Sequence, residues 1–183
     1  GAIYTSLAGG AFVFVEMLGV SRLGYGAVLA SSTFAYLSGT LACQRQLRRV
    51  GITRTVRRGA VFSALGAVAM AAMALSGWHE PWALAATMMV ICFGHGHHQP
   101  CAQAAVTGPF PAQAGLASAL AGFVMSLIAF GIGSWLGWSA DGTVVPTLLT
   151  LAFFAGLTAV VAVTLVQRLG HRLAPVGGAR GRA

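Results

Sequence analysis

The sequence predicts an all-α polytopic membrane protein with six transmembrane helices, and three observations support this. Hydrophobic residues make up 57% of the 183 residues and charged residues only 8%, whereas about 25% charged residues is usual in a soluble domain. Long stretches, above all residues 81–140, carry no charge. The basic residues, all arginine, cluster beside those stretches. This pattern excludes a water-soluble globular domain, and we expect membrane lipid rather than nucleic acid around the chain.

The charge-free intervals set the predicted helices. A spanning helix needs about 20 apolar residues, which suits residues 23–44, 59–79 and 142–167. Residues 81–140 would form a helix of about 90 Å, and Thr107-Gly108-Pro109-Phe110-Pro111 inside it predicts a turn because proline cannot continue a helix. The predicted bundle occupies residues 1–169, followed by an Arg/Gly-rich cytoplasmic tail at 170–183. Its six spans are residues 1–20, 25–44, 58–77, 81–106, 113–138 and 144–167.

The arginines predict the orientation, because basic residues are retained on the cytoplasmic side. The link between the second and third spans and the tail carry every arginine except Arg22. Six alternating helices put both segments on one side, so we expect a cell-membrane protein with both ends in the cytoplasm. Acidic residues and tryptophans, which favour the interface, fall at the opposite ends: Glu16, Glu80, Asp141, Trp78, Trp82, Trp135 and Trp138.

Small residues at four-residue spacing predict where helices pack, since lipid offers no hydrophobic reason for helices to associate. The third span has such a stripe, and the fifth span repeats the spacing near its outer end. The stripes comprise Gly59, Ser63, Ala67 and Ala71, and then Gly133 and Gly137.

The fourth span has a polar centre, Gly94-His95-Gly96-His97-His98-Gln99-Pro100-Cys101. Pro100 leaves the carbonyl of Gly96 unpaired and predicts a bend. On a helical wheel one arc of about 80° holds polar groups that should face the bundle or a wet path. Helix contacts could equally satisfy the histidines, and a metal site through His95, His98 and Cys101 is a weaker possibility. The arc comprises Cys92, His95, Gln99 and Gln103.

Three segments resemble a known family. The pattern Gly-x-Gly-x-x-x-Pro from Gly94, followed by Pro109-Phe110-Pro111-Ala112-Gln113-Ala114-Gly115 and the residues up to Ala121, resembles the tenth and eleventh helices of the major facilitator superfamily, specifically the Bcr/CflA drug-efflux group. Phe12-Val13-Phe14 with Gly19-Val20-Ser21 is similar to its seventh helix. Residues 39–51 resemble its basic loop between helices eight and nine, although the acidic residue of that loop is missing.

The resemblance implies the second half of a twelve-helix transporter, beginning partway into helix seven and needing an N-terminal six-helix half as partner. Substrate would bind near the midplane between the halves, with alternating access. The implied function is export of amphipathic organic compounds or drugs, by proton antiport, without a cofactor or enzymatic activity. The three histidines of the fourth span stand where the family has aliphatic residues.

Candidate site residues follow from the faces that would line the cavity. Two groups are candidates for proton coupling: His95, and Glu16, the only carboxylate within a predicted span, which interfacial anchoring would also explain. The expected substrate contacts are Phe12, Phe34, Tyr36, His95, Gln99, Phe123 and Ser126.

A different class of function stays open at this point. A six-helix membrane metalloenzyme could use His95, His97 and His98, because imidazole is a common metal ligand. The three cysteines show no paired spacing, so we interpret them as small apolar residues of the core. They are Cys43, Cys92 and Cys101.

Overall fold

The computed structural model describes residues 1–169, and their secondary structure is entirely helical. This confirms the all-α class, while the predicted tail at 170–183 lies outside the described residues. The elements are α1 (Ala2–Ala11) with a π-helical continuation (Phe12–Met17), α2 (Arg22–Ser76), α3 (Pro81–Thr107), a 3₁₀ turn (Pro111–Gln113), α4 (Ala114–Ser139), α5 (Val145–Val163) and α6 (Leu165–Leu169).

Within residues 1–169, three helical segments are long and apolar enough to cross a membrane: Arg22–Ser76, Pro111–Ser139 and Val145–Arg168. The protein is therefore membrane-embedded, but the predicted count of six spans is not confirmed. Helix α3 has the length, yet its three histidines lower its hydropathy. The first helical segment, Ala2–Met17, is apolar but short.

Helix α2 consists of two helices that meet at Gly51 without an intervening loop. Helical structure continues through the arginines, and only Gly51 is non-helical, at φ 78° and ψ 173°. The prediction of a loop at residues 45–57 was wrong because arginine is a strong helix former. The backbone angles of Gly51 belong to a region that is essentially confined to glycine, so the helix is interrupted only there. The chain folds back at Gly51, since Arg58 Nη1 donates to Gln46 Oε1 at 3.2 Å, where a straight helix would separate them by about 18 Å.

Helix α3 lies between the two arms of α2, residues 22–50 (the first arm) and 52–76 (the second arm). Along the first arm, Gly39 contacts Phe93 and Cys43 contacts His97. The residue numbers of the two partners increase together, so the first arm and α3 are parallel. Along the second arm, Gly59 contacts His97 and Gly66 contacts Ile91. The residue numbers change in opposite directions, so the second arm and α3 are antiparallel. The antiparallel alternation expected for the second, third and fourth predicted spans is therefore present.

The small-residue stripe of the second arm is a packing surface, as predicted. Gly59, Ser63 and Ala67 are buried, and a Cβ on Gly94 of α3 would lie 2.8 Å from Ser63 Oγ. Such contacts need the absence of a side chain, because the two backbones approach closely.

Helix α4 behaves differently from the others. Among its residues only Ile132 is buried. A Cβ placed on Gly133 or Gly137 would find nothing within 4 Å, so the predicted packing role of these glycines is wrong within residues 1–169. The turn before α4 is confirmed, since α3 ends at Thr107 and α4 begins at Ala114.

Charge and aromatic residues divide between the two ends of the bundle. Gln167 Nε2 donates to the carbonyl of Thr53 at 2.9 Å, which brings the end of the described chain beside the arginine-rich turn of α2. At the other end, the ring centroids of Trp78 and Trp82 are 5.8 Å apart. The arginines at 45–58 and Arg168 therefore share one end, as expected.

Candidate functional site

His97 is the most deeply buried polar side chain of α3, with 0% of its surface exposed. Its Nδ1 is 3.0 Å from the carbonyl oxygen of Phe93, and its Nε2 is 3.4 Å from Nε2 of Gln46. A carbonyl only accepts and an amide nitrogen only donates. These partners assign a neutral ring with the proton on Nδ1, which donates to Phe93, while Nε2 accepts from Gln46.

The chain of hydrogen bonds continues toward the basic end. The side-chain oxygen of Gln46 accepts from Arg58 at 3.2 Å. Each donor in this chain therefore has an acceptor, from Arg58 on the second arm through Gln46 on the first arm to His97 on α3. One network ties all three helical segments together.

His98 turns to the other arm. Its Nε2 lies 3.2 Å from Oγ of Ser63 in the second arm. His97 and His98 thus hold α3 between the arms of α2 through hydrogen bonds to Gln46 and Ser63. Sequence reasoning centred the polar face on His95 and missed His97 as the buried residue, although the four-residue spacing of Phe93, His97 and Cys101 was available as a signal.

His95 stands apart from its two neighbours. Its ring is half-buried and lies 5.7 Å, centroid to centroid, from the ring of Tyr36 at an interplanar angle of 33°. Within residues 1–169 neither side chain has a hydrogen-bond partner. His95 is about 21 Å along α3 from its start, near the middle of this 27-residue helix.

The other predicted substrate contacts do not join this pair through any hydrogen bond or ring contact of residues 1–169. Phe34 and Phe123 are exposed at 73% and 61%. Phe12 is exposed, Gln99 is half-buried, and the Ser126 hydroxyl donates to the Gly122 carbonyl of its own helix at 3.0 Å. Glu16 is exposed in the π-helical continuation of α1.

Helix α3 continues past Pro100 to Thr107 without interruption, and the bend at Pro100 stays a prediction. The polar centre of α3 is therefore presented on an uninterrupted helix. Close packing against both arms holds that helix in place.

A metal centre has no ligand set among residues 1–169. No group of three or more histidine, cysteine or acidic side chains converges there. The hydrogen bonds of His97 and His98 go to different arms, and His95 lies against Tyr36. The metalloenzyme alternative therefore gains no support from this geometry.

Two cysteines that looked unrelated in the sequence are neighbours. Cys43 Sγ and Cys101 Sγ are 3.8 Å apart, and the Cys43 thiol donates to the carbonyl of His97 at 3.4 Å. Both are buried. Spacing could not reveal this pair because 58 positions separate its members.

An apolar groove of about 630 Å³ separates α4 from α5. Its walls include Ile132, Trp135, Phe153 and Phe154, and it contains none of the seven predicted substrate contacts. At its edge, Trp135 Nε1 donates to Oγ1 of Thr150 at 3.1 Å. This bond is a polar link between two helices that otherwise touch little.

Comparison with protein-family models, with curated proteins and with solved structures finds no match for this chain.

Proposed function

We propose that the chain is part of a secondary active membrane transporter that exports amphipathic organic compounds by proton antiport and alternating access. The pairing of His95 with Tyr36 is the observation that carries the proposal. It offers an aromatic surface and a titratable ring at mid-helix, on two parallel helices. Both groups suit an organic substrate that is partly apolar and partly polar.

The different contacts of the three histidines support a role for His95 in binding substrate or a proton. His97 and His98 are engaged in holding α3 between the arms of α2. His95 has no hydrogen-bond partner within residues 1–169, so its ring nitrogens are free to bind a proton or a substrate. A side chain that changes its protonation during transport needs that freedom.

We further propose six spans with both ends in the cytoplasm, the two arms of α2 counting as separate spans. The grouping of the arginines at one end and the tryptophans at the other supports this orientation. In the complete transporter the bundle would pair with an N-terminal six-helix half, as the resemblance to the Bcr/CflA group implies.

Dye accumulation in an efflux-deficient bacterial host tests the function. Cells expressing the full-length protein are expected to accumulate less of a lipophilic cationic dye than cells without it, and collapse of the proton gradient should remove the difference. His95→Gln should restore accumulation. His79→Gln is the matched control, because His79 lies in the loop between α2 and α3.

Equal dye accumulation with and without the expressed protein would overturn the export proposal. Export that persists in His95→Gln, at the same expression level, would remove His95 from the mechanism. A proton-release measurement in inverted vesicles separates the two roles of His95, because a substrate contact alone would change the dye concentration needed and not the proton yield.

A further inference from the structure

We propose that Cys43 and Cys101 form an oxidisable dithiol whose disulfide would fasten the first arm of α2 to α3. The two sulfur atoms are 3.8 Å apart, on different helices. Cys92, the third cysteine, is also buried on α3 but has no thiol partner within residues 1–169. The chain therefore holds one paired site and one isolated thiol of similar burial.

The backbone geometry brings the pair within reach of a covalent bond. A Cβ on Gly39 would overlap the backbone of Phe93, and a Cβ on Gly96 would overlap that of Tyr36. The first arm and α3 are parallel and nearly backbone to backbone about one to two turns before the cysteines. A disulfide needs a sulfur separation of about 2.05 Å, so the sulfurs must close by about 1.8 Å, and the proposal requires rotation of the two side chains to make this movement.

The environment of the pair selects the oxidant. Cys43 is 0% and Cys101 6% exposed, and both belong to an apolar cluster with Val56, Ala60 and Ala159. A charged oxidant cannot enter such a site without losing its hydration. A small, neutral two-electron oxidant that partitions into membranes, such as an azodicarboxamide or a quinone, is the fitting class.

Oxidation of the two thiols by an azodicarboxamide is balanced in atoms and electrons. One cysteine sulfur attacks a nitrogen of the azo group, forming a sulfur–nitrogen bond, and the second sulfur then attacks the first. The sulfur–sulfur bond forms as the sulfur–nitrogen bond breaks. The two thiols lose two electrons and two protons, and the azo group gains both to become a hydrazine.

Peptide mapping tests the proposal without depending on transport. Native membranes containing the full-length protein are treated with an azodicarboxamide, free thiols are alkylated under denaturing conditions, and the peptides are identified by mass spectrometry. The expected product links the peptides of Cys43 and Cys101, while Cys92 is recovered alkylated. Cys92→Ala should give the same link.

Variants that lack one of the two cysteines provide an independent test. In Cys43→Ser and Cys101→Ser the remaining partner should be recovered outside any disulfide, either alkylated or as its sulfur–nitrogen adduct with the oxidant. Recovery of all three cysteines as free thiols in the oxidised wild type, or a link that includes Cys92, would overturn the proposal. The wild-type mapping stands alone if a serine variant fails to fold.

Discussion

Ser63 Oγ on the second arm of α2 and His98 Nε2 on α3 lie 3.2 Å apart, at a point where Gly94 of α3 packs closely against the second arm. Interhelical hydrogen bonds in membranes contribute about 0.6 kcal/mol on average and up to about 1.7. Ser63→Ala should lower the free energy of unfolding in detergent by about 0.6 to 1.7 kcal/mol. Ser31→Ala is the control, because Ser31 bonds only the Val28 carbonyl of its own helix; equal losses would contradict an interhelical role.

Gly96→Ala should destabilise the bundle more strongly. The added methyl group would overlap the backbone of Tyr36 in the first arm, and overpacking of this kind costs about 1 to 3 kcal/mol. Gly122→Ala in α4 should cause no loss, because nothing lies within 4 Å of a Cβ there. Thermal unfolding in detergent compares the two, and equal midpoints would refute close packing at Gly96.

Gly51→Ala tests the reversal of α2. Gly51 has φ 78° and ψ 173°, a region that costs other residues of the order of 1 to 3 kcal/mol. Gly26→Ala, within the helical part of the first arm and with no atom within 4 Å of its Cβ, should be tolerated. Urea unfolding of detergent-solubilised protein measures both, and an unchanged midpoint for Gly51→Ala would argue against the strained turn.

Asp141, in the loop before α5, provides a pH-dependent signal. The Thr143 hydroxyl donates to its carboxylate at 2.7 Å and the Thr143 amide at 2.9 Å, and these bonds lower the pKa of Asp141 below its usual value. The carboxylate therefore adds stability above the unfolded-state pKa of about 3.9, and this contribution is lost as pH falls through the lower native pKa.

Replacing Thr143 should move that titration. Thr143→Val removes the hydroxyl donor and should raise the pKa of Asp141, though the backbone donor remains. Thr158→Val is the control, because that hydroxyl bonds the Phe154 carbonyl within α5. Carboxyl carbon shifts in NMR follow Asp141, the one aspartate of the chain, and an unchanged midpoint in Thr143→Val would exclude the hydroxyl as the cause.

Much of the fold could be predicted from local signals. The turn between Thr107 and Ala114 followed from proline chemistry, and the packing role of Ser63 followed from small-residue spacing. The number of spans did not follow in the same way, because helix length and hydropathy conflict in α3. The loop expected near Gly51 was wrong because charge-free intervals set the ends of the predicted spans, whereas a helix can continue through arginines.

The candidate site was harder to predict than the fold. A helical wheel ranks residues on one helix, and it favoured the face of His95 and Gln99. Burial in this bundle depends instead on two arms that reach α3 from different sides, so His97 became the buried residue. The pairing of Cys43 with Cys101 depends on the same fold-back and could not be deduced from their spacing.

The position of α3 between the arms of α2 also constrains how the protein is made. Its histidine-rich centre is costly in lipid alone, whereas between the arms His97 and His98 find partners. The two arms of α2 precede α3 in the chain, so the ribosome synthesises the residues that bind His97 and His98 before it synthesises α3.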